Sequence, residues 1–223
     1  LSIIDLSSSG RQPMTNEDKT IWLVFNGEVY NYKELRTELQ NRGHKFISAT
    51  DSEVVIHLYE EYGEDCLKHI KGMFAFGLWD EKNAVFFAAR DRAGKKPFIC
   101  SNHDGRFCFA SEFSALLASG FIDKEINPQS INYFLTLGYI PAPLTIYKNV
   151  FKLPAAHKLL LKDGSIRVSR YWELDYSKKI SISEEDACGE TLRLLEEATK
   201  IRMYSDVPLG AFLSGGIDSS AVV

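Results

Sequence analysis

The chain has 223 residues, 45% hydrophobic and 25% charged, and its 26 basic and 30 acidic side chains give a net charge of −4. These proportions are ordinary for a globular protein, and the acidic balance excludes a general attraction to nucleic acid or to an anionic membrane surface. No apolar run approaches the length of a membrane span, no signal peptide is visible and the four cysteines lack metal-ligand spacing, so we expect a cytoplasmic protein without nucleic-acid or membrane partners.

Both ends of the chain look cut. Leu1–Leu6 begins in the middle of a strand-like pattern, and residues 219–223 resemble a helix that is just starting. We therefore expect the sequence to be part of a longer protein.

A buried strand and a turn signal follow a polar loop. The run Ile21–Phe25 is β-branched and aromatic, and Asn26-Gly27 comes directly after it. Because both residues of Asn-Gly tolerate positive φ, the dipeptide predicts a tight turn that leads into a helix over Tyr32–Gln40.

The same dipeptide has a functional interpretation. Asn26 offers a side-chain amide donor, and Gly27 offers a backbone N–H with no side chain in the way. Two adjacent donors at the end of a strand are what a developing oxyanion requires. For the dipeptide by itself, the turn is the favoured interpretation.

A helix start is predicted near residue 53. Thr50 and Glu53 have the spacing of a capping box in front of an apolar-periodic stretch. Asp51 would lie at or beside this helix N-terminus, where a carboxylate is favoured, or it would present its charge to a ligand ammonium. The residues leave both roles open.

The rest of the first part of the chain is rich in hairpin patterns. Two apolar strands around Glu81–Asn83 predict a hairpin in the middle of a sheet, and Asp163-Gly164 predicts another. The cluster Arg90-Asp91-Arg92 is expected to form a structural ion-pair network. Helices are predicted over Glu112–Ala118 and Pro128–Leu137.

The composition changes after residue 174. Residues 1–174 are predicted to form one domain, the polar segment 175–182 a linker, and residues 183–223 the start of a second domain. Acidic residues at 184–186 favour a long amphipathic helix that reaches about Met203.

A phosphate-binding loop is predicted near the end of the chain. The apolar run Val207–Leu213 reads as a strand, and Ser214–Ser220 follows it and leads into a helix start. Two glycines let the backbone approach a phosphate, and the helix start offers free N–H groups. Asp218 would repel bare phosphate, so it predicts a bridging Mg²⁺.

These motifs resemble those of two known protein families. Ser214–Ser220 resembles the pyrophosphate loop of the ATP pyrophosphatase family, which activates an oxygen of its substrate as an AMP adduct. The upstream part resembles the glutaminase domain of class II glutamine amidotransferases, and in this order the two are similar to the glutamine-hydrolysing asparagine synthetases over nearly the whole chain. The matching upstream segments are Leu1–Leu6, Phe25–Asn31, Thr50–Glu53, Gly72–Phe76 and Ala89–Pro97.

The resemblance implies an α+β fold and a set of roles. The fold is an N-terminal-nucleophile-hydrolase-like arrangement of layered antiparallel sheets with helices, followed by the beginning of an α/β adenine-nucleotide α-hydrolase-like (PP-loop) domain. Asn26 and Gly27 form the oxyanion hole, and Asp218 binds Mg²⁺. The residues implied to face glutamine are Leu1, Ser2, Ile3, Ile4, Asn26, Gly27, Glu28 and Asp51, with Asp51 pairing the α-ammonium. The residues implied to bind ATP are Leu213, Ser214, Gly215, Gly216, Asp218, Ser219 and Ser220.

The implied cofactors are ATP and Mg²⁺, and the implied partners are glutamine, aspartate and, as an assembly, a homodimer. In this family the nucleophile is a cysteine at the very N-terminus, whereas position 1 is leucine and the cysteines at 66, 100, 108 and 188 occupy no motif position. We therefore expect this chain alone to be inactive. The residues also allow another carboxylate acceptor, such as a sugar acid or a β-lactam precursor, or a non-catalytic remnant of the fold.

Overall fold

The computed structural model describes residues 3–223. The strands of this part are β1 Met14–Thr15, β2 Ile21–Val29, β3 Gly72–Asp80, β4 Val85–Arg90, β5 Ile99–His103, β6 Arg106–Ala110, β7 Val150–Lys152, β8 His157–Lys162 and β9 Ser165–Arg170. Its α-helices are α1 Tyr32–Asn41, α2 Glu53–Tyr62, α3 Phe113–Ala118, α4 Pro128–Leu137, α5 Glu184–Lys200 and α6 Ile217–Val222.

The strands form two antiparallel sheets. The six-stranded sheet has the order β1-β2-β3-β4-β8-β9, and the three-stranded sheet has the order β6-β5-β7. The predicted hairpins are confirmed as β3–β4 and β8–β9, and the latter turns at Asp163 and Gly164, which have φ of 50° and 74°.

Three groups of buried side chains define the layers. One packs α1 and α2 against the six-stranded sheet and includes Leu39, Leu58 and Phe76. Another, around Phe98 and Leu159, fills the space between the two sheets. A third packs α3 onto the outer face of the smaller sheet. The result is a helix–sheet–sheet–helix sandwich, which confirms the predicted layered α+β class.

Two predicted strands are absent from the described residues. Ile3–Leu6 and Val207–Leu213 are both irregular, although they have strand-like patterns. A strand needs a neighbour to satisfy its backbone N–H and C=O groups, and no described strand pairs with either segment. Phe212 is therefore fully exposed, and the strand prediction is wrong for both segments as the structure has them.

The predicted ion-pair network at residues 90–92 is also wrong. Arg90 donates three hydrogen bonds to the carbonyl groups of Gly94, Lys96 and Leu153. The Asp91 carboxylate, 1% exposed, accepts from backbone N–H groups, one of them that of Phe74. These charges satisfy backbone groups of the loop after β4, because that loop has no ladder partners.

The segment after α5 contacts the first part of the chain. The Arg202 guanidinium lies 4.7 Å from the centre of the Tyr30 ring, and the Lys33 ammonium lies 3.9 Å from that of Tyr204. Asp206 donates its N–H to the Ile3 carbonyl. Among residues 3–223 there is no helix of the length and apolarity needed to cross a bilayer.

Candidate active site

Asn26 and Gly27 lie inside a strand and not at a turn. β2 continues through both residues to Val29, in register with β3, where Gly27 is opposite Phe74. The predicted turn is therefore wrong, because tertiary pairing with β3 overrides the local turn preference. The chain leaves the sheet only after Val29.

Gly27 is required at this position by its surroundings. Its φ is +154°, and a Cβ atom added here would lie 2.1 Å from the Met73 carbonyl oxygen and 2.7 Å from the Phe74 Cα. Both contacts are with backbone, which cannot move aside. The strand therefore has a position at which only glycine fits.

The Gly27 N–H faces the open edge of β2. β1 pairs only with Trp22 and Leu23, and beyond them the Phe25 N–H donates to the Gln12 side chain at 2.7 Å and the Val29 N–H to the Asp51 carboxylate at 2.6 Å. Because N–H directions alternate along a strand, the Gly27 N–H points to this same edge. The Gly27 N–H therefore lies between two backbone donors, those of Phe25 and Val29, that are each bonded to a side chain.

Asn26 lines a cavity between the two sheets. The cavity has a volume of about 450 Å³ and is also bordered by Phe98, Phe109, Ser111 and Glu112. The Asn26 Nδ2 donates to the Ser111 hydroxyl at 3.0 Å, which fixes the orientation of the amide. Nothing in the local sequence pointed to Ser111, because it lies 85 residues away along the chain.

Glu28 and Asp51 form a buried acidic pair at the end of β2. Glu28 is 5% exposed and Asp51 is 7% exposed. The Asp51 carboxylate accepts the Val29 N–H, whereas no hydrogen bond from the described residues reaches the Glu28 carboxylate. Glu28 and Asn26 are two residues apart on one strand, so their side chains lie on the same face.

Burial sets the protonation of this pair. Burial raises the pKa of Asp51, while the Val29 N–H opposes the shift. The pKa of Glu28 is raised by burial and by the Asp51 charge, and the cations of Lys96 and Arg202 oppose this shift. A buried pair of carboxyl groups with raised pKa values is suited to an ammonium ligand, because the positive charge would favour the ionised form of both groups.

The capping box predicted for α2 does not form. The helix begins at Glu53 with Ser52 as its N-cap, and the cap makes no side-chain hydrogen bond. Glu53 instead accepts the N–H groups of Ile47 and Ser48. The Asp51 carboxylate lies beside this helix start and accepts the Val29 N–H of β2.

The segment before β1 is the next predicted part of the pocket. Leu1 and Ser2 lie outside the described residues. Ile4 is 5% exposed, and Ile3 is 38% exposed with its carbonyl bonded to the Asp206 N–H. The Asp5 carboxylate accepts the N–H of Ala49 at 2.8 Å, and Ala49 lies two residues before Asp51. The structure therefore brings residues 3–5 beside the loop that carries Asp51.

The predicted nucleotide loop is exposed. Gly216 is the N-cap of α6, Gly215 has a φ of +80°, and the Ser214 and Ser219 hydroxyl groups are 2.9 Å apart. Leu213, Gly216, Asp218 and Ser220 are all solvent-exposed. The prediction was a strand, a loop and a helix in this order. The loop and the helix α6 are present, but no described strand precedes the loop.

The four cysteines do not supply an activated thiol at this site. Cys66 and Cys100 are buried, and burial raises the pKa of both, that of Cys100 to about 12. Burial also raises the pKa of Cys108. Cys188 lies on the exposed surface of α5. Since the thiolate is the nucleophile, the three thiols with raised pKa are inert at neutral pH.

Sequence comparisons place both parts of the chain beside known proteins. Residues 1–172 match the glutamine amidotransferase domain family, and residues 190–223 match the asparagine synthase family. The whole chain is 43% identical to 46% of a putative glutamine-hydrolysing asparagine synthetase 2 of Methanocaldococcus jannaschii, and 40% identical to 36% of glutamine-hydrolysing asparagine synthetase 3 of Bacillus subtilis. The chain thus spans less than half the length of these relatives.

A solved structure has the same fold. The glutamine phosphoribosylpyrophosphate amidotransferase of Bacillus subtilis superimposes with a TM-score of 0.52 at 20% identity, over 74% of this chain and 33% of that chain. At this identity the likeness concerns the arrangement of sheets and helices, and it supports the predicted fold.

Proposed function

This chain belongs to the glutamine amidotransferase domain family, and we propose that the intact protein is a glutamine-hydrolysing asparagine synthetase. It would release ammonia from glutamine in the first domain and transfer it to adenylated aspartate in the second. The observation that carries the proposal is the pair of donors on β2: the oriented Asn26 amide beside a cavity and the Gly27 N–H at the strand edge.

These donors suit the tetrahedral intermediate of amide hydrolysis. Attack on the glutamine carboxamide places negative charge on its oxygen, and preorganised N–H groups stabilise that charge most when they need not reorient. Ser111 fixes the Asn26 amide at 3.0 Å, and the β2–β3 ladder fixes the Gly27 peptide. The hole would therefore be assembled before the substrate arrives.

Glutamine would be held by the acidic pair and the segment before β1. Asp51 would pair with the α-ammonium, and Glu28 would add a second carboxylate on the Asn26 face of the strand. The backbone of Leu1, Ser2, Ile3 and Ile4 would line the same pocket. Support comes from the burial of both carboxylates and from the contact of Asp5 with the loop before Asp51.

The Ser214–Ser220 loop would bind ATP with Mg²⁺. The Asp218 carboxylate is the hard oxygen ligand that Mg²⁺ prefers, and the backbone N–H and hydroxyl groups of the loop are donors for phosphate. Asp218 is exposed and free of ion pairs among the described residues. Asp218 would hold the ion, and Leu213, Ser214, Gly215, Gly216, Ser219 and Ser220 would contact the nucleotide. When bound, ATP supplies the adenylate that activates the acceptor carboxyl.

The nucleophile would come from an N-terminal cysteine of the intact protein. None of the chain's cysteines borders the cavity beside Asn26, and burial raises the pKa of the three thiols inside the first domain. The 223-residue chain would therefore bind glutamine without hydrolysing it.

The test uses the intact protein with Mg²⁺, ATP, aspartate and either glutamine or ammonium as nitrogen donor. Asparagine and AMP should form with both donors. In Asn26→Ala the glutamine-dependent rate should fall by about 10²–10³, the cost of one oxyanion donor, while the ammonium-dependent rate stays unchanged. If aspartate supports neither pyrophosphate release nor asparagine formation, and an added sugar acid supports pyrophosphate release, the acceptor is another carboxylate.

A further inference from the structure

A second cluster of polar side chains lies at the opposite end of β2 from the candidate site. One ligand atom each of Glu17, His44 and His57 lies within 4.8 Å of the others. Asn16 beside them bonds Ile21 at the start of β2, roughly 16 Å from Asn26 at about 3.3 Å per strand residue. The cluster is therefore separate from the glutamine pocket.

Both imidazole rings present the same nitrogen to one carboxylate. The Glu60 Oε2 lies 2.7 Å from the His57 Nδ1 and 3.4 Å from the His44 Nδ1. The other oxygen, Oε1, accepts the Asn16 amide at 2.8 Å, which fixes the carboxylate. The 2.7 Å contact is a hydrogen bond, so Glu60 orients the His57 ring as a carboxylate next to a metal-ligating histidine commonly does.

The outward nitrogens of both rings face further carboxylates. The His44 Nε2 is 3.0 Å from the Glu61 Oε1, and the His57 Nε2 is 4.0 Å from the Glu53 Oε1. The His57 Nε2 is also the one buried side-chain polar atom of the described residues that has no hydrogen-bond partner, and its ring is 1% exposed. A metal-ligating histidine commonly donates its second N–H to a carboxylate.

We propose that Glu17, His44 and His57 bind a divalent transition-metal ion of the Zn²⁺ type. Because the His57 Nδ1 is hydrogen-bonded to Glu60, the buried and orphaned Nε2 is the nitrogen of this ring that is left for an ion. Two imidazoles and one carboxylate form a donor set suited to Zn²⁺, with a fourth position for water. The exposed Glu17 side leaves a path for the ion.

The charge balance also favours a cation. Four carboxylates, those of Glu17, Glu53, Glu60 and Glu61, surround the two rings. Among the lysines and arginines of the described residues, Arg42 alone forms an ion pair with one of them, Glu61. A bound metal ion would link three parts of the chain: the loop before β2, the segment that follows α1, and helix α2. Two protonated imidazoles would also balance the charge, so the experiment must separate metal from protons.

The test uses the 223-residue chain after treatment with a chelating resin. Calorimetric titration with ZnCl₂ should give one equivalent, and CoCl₂ should give visible absorption bands of a low-symmetry site. Glu17→Gln and His44→Gln, both at the surface end of the cluster, should weaken Zn²⁺ binding at least about tenfold. His103→Gln, on an exposed part of β5, is the matched control and should bind like the parent.

The proposal is overturned if the parent binds no stoichiometric Zn²⁺. It is also overturned if binding is unchanged in both cluster variants, or if ¹⁵N spectra show only two imidazolium rings that ZnCl₂ does not alter. Circular dichroism verifies that each variant is folded. Should His44→Gln unfold, the exposed Glu17→Gln still decides the question.

Discussion

The Asp51 carboxylate accepts the Val29 N–H at 2.6 Å. This bond joins the loop before α2 to the last residue of β2, two residues beyond Gly27. It also buries a charge next to Glu28, whose own carboxylate accepts no hydrogen bond from the described residues. The pocket therefore stores unfavourable electrostatic energy, as binding sites often do.

Glu28→Gln should stabilise the folded chain at pH 7 by about 0.5–2 kcal/mol. Burial and Asp51 raise the pKa of Glu28 above 4.5. Between 4.5 and the raised native pKa, the folded state binds more protons than the unfolded state, so the free energy of unfolding falls as pH rises. The variant should lose this slope, as measured by urea unfolding from pH 4 to 7.

The matched control for this prediction is Glu34→Gln in the exposed first turn of α1. It should change the free energy of unfolding by less than about 0.5 kcal/mol. A destabilised Glu28→Gln variant would mean that the ionised carboxylate is satisfied in the fold, contrary to its geometry.

Gly27→Ala should destabilise the chain by more than about 3 kcal/mol or prevent folding. The new Cβ would meet the Met73 carbonyl oxygen at 2.1 Å, and β2 and β3 would have to separate. Gly164→Ala is the control, because Gly164 has a φ of +74° with no atom within 4 Å of the added Cβ. It should cost only about 1 kcal/mol of backbone strain, and equal losses in the two variants would refute the steric account.

Local signals in the sequence predicted the hairpins and helices well. Asp163-Gly164 and the acidic residues at 184–186 act within a few residues, and they predicted β8–β9 and the start of α5. The strand Val207–Leu213 failed because a strand depends on a partner elsewhere in the chain. Its apolar pattern is present, but its neighbour is not among the described residues.

The candidate site was predictable in its residues more than in its geometry. Asn26 and Gly27 were recognised as donors, but their place inside β2 depends on pairing with β3. Ser111 and Gln12, which orient the amide and cap the strand edge, lie 85 and 13 residues from their partners. Contacts of this range leave no local pattern, so only the fold reveals them.

Cys188 should be the one thiol of the native chain that reacts rapidly with a disulfide reagent. It is exposed on α5, whereas burial raises the pKa of Cys66 and Cys100. Because the thiolate is the reacting form, stopped-flow measurement at pH 7.5 should show a fast phase of about one equivalent. Cys188→Ser should remove that phase, and a fast phase that persists would show that a buried thiol is accessible.

Arg202→Ala should loosen the contact between the segment after α5 and the first part of the chain. The guanidinium stacks on the buried Tyr30 ring, 4.7 Å from its centre, a contact worth about 0.5–1 kcal/mol. Hydrogen exchange of residues 200–206 should therefore accelerate while the β2–β3 amides keep their protection. Arg193→Ala is the control, since Arg193 pairs with Glu190 and Glu197 on the exposed face of α5 and with no other acidic side chain of residues 3–223.

The same variant should change the titration of Glu28. Arg202 is one of two cations that oppose the raised pKa of this carboxyl group, and Lys96 is the other. Removing a positive charge disfavours the ionised form, so the Glu28 carboxyl signal in ¹³C NMR should titrate at higher pH in Arg202→Ala than in the parent chain. Arg202→Lys keeps the charge and should titrate close to the parent. An unchanged Glu28 titration in Arg202→Ala would mean that the segment after α5 does not reach the glutamine pocket in solution.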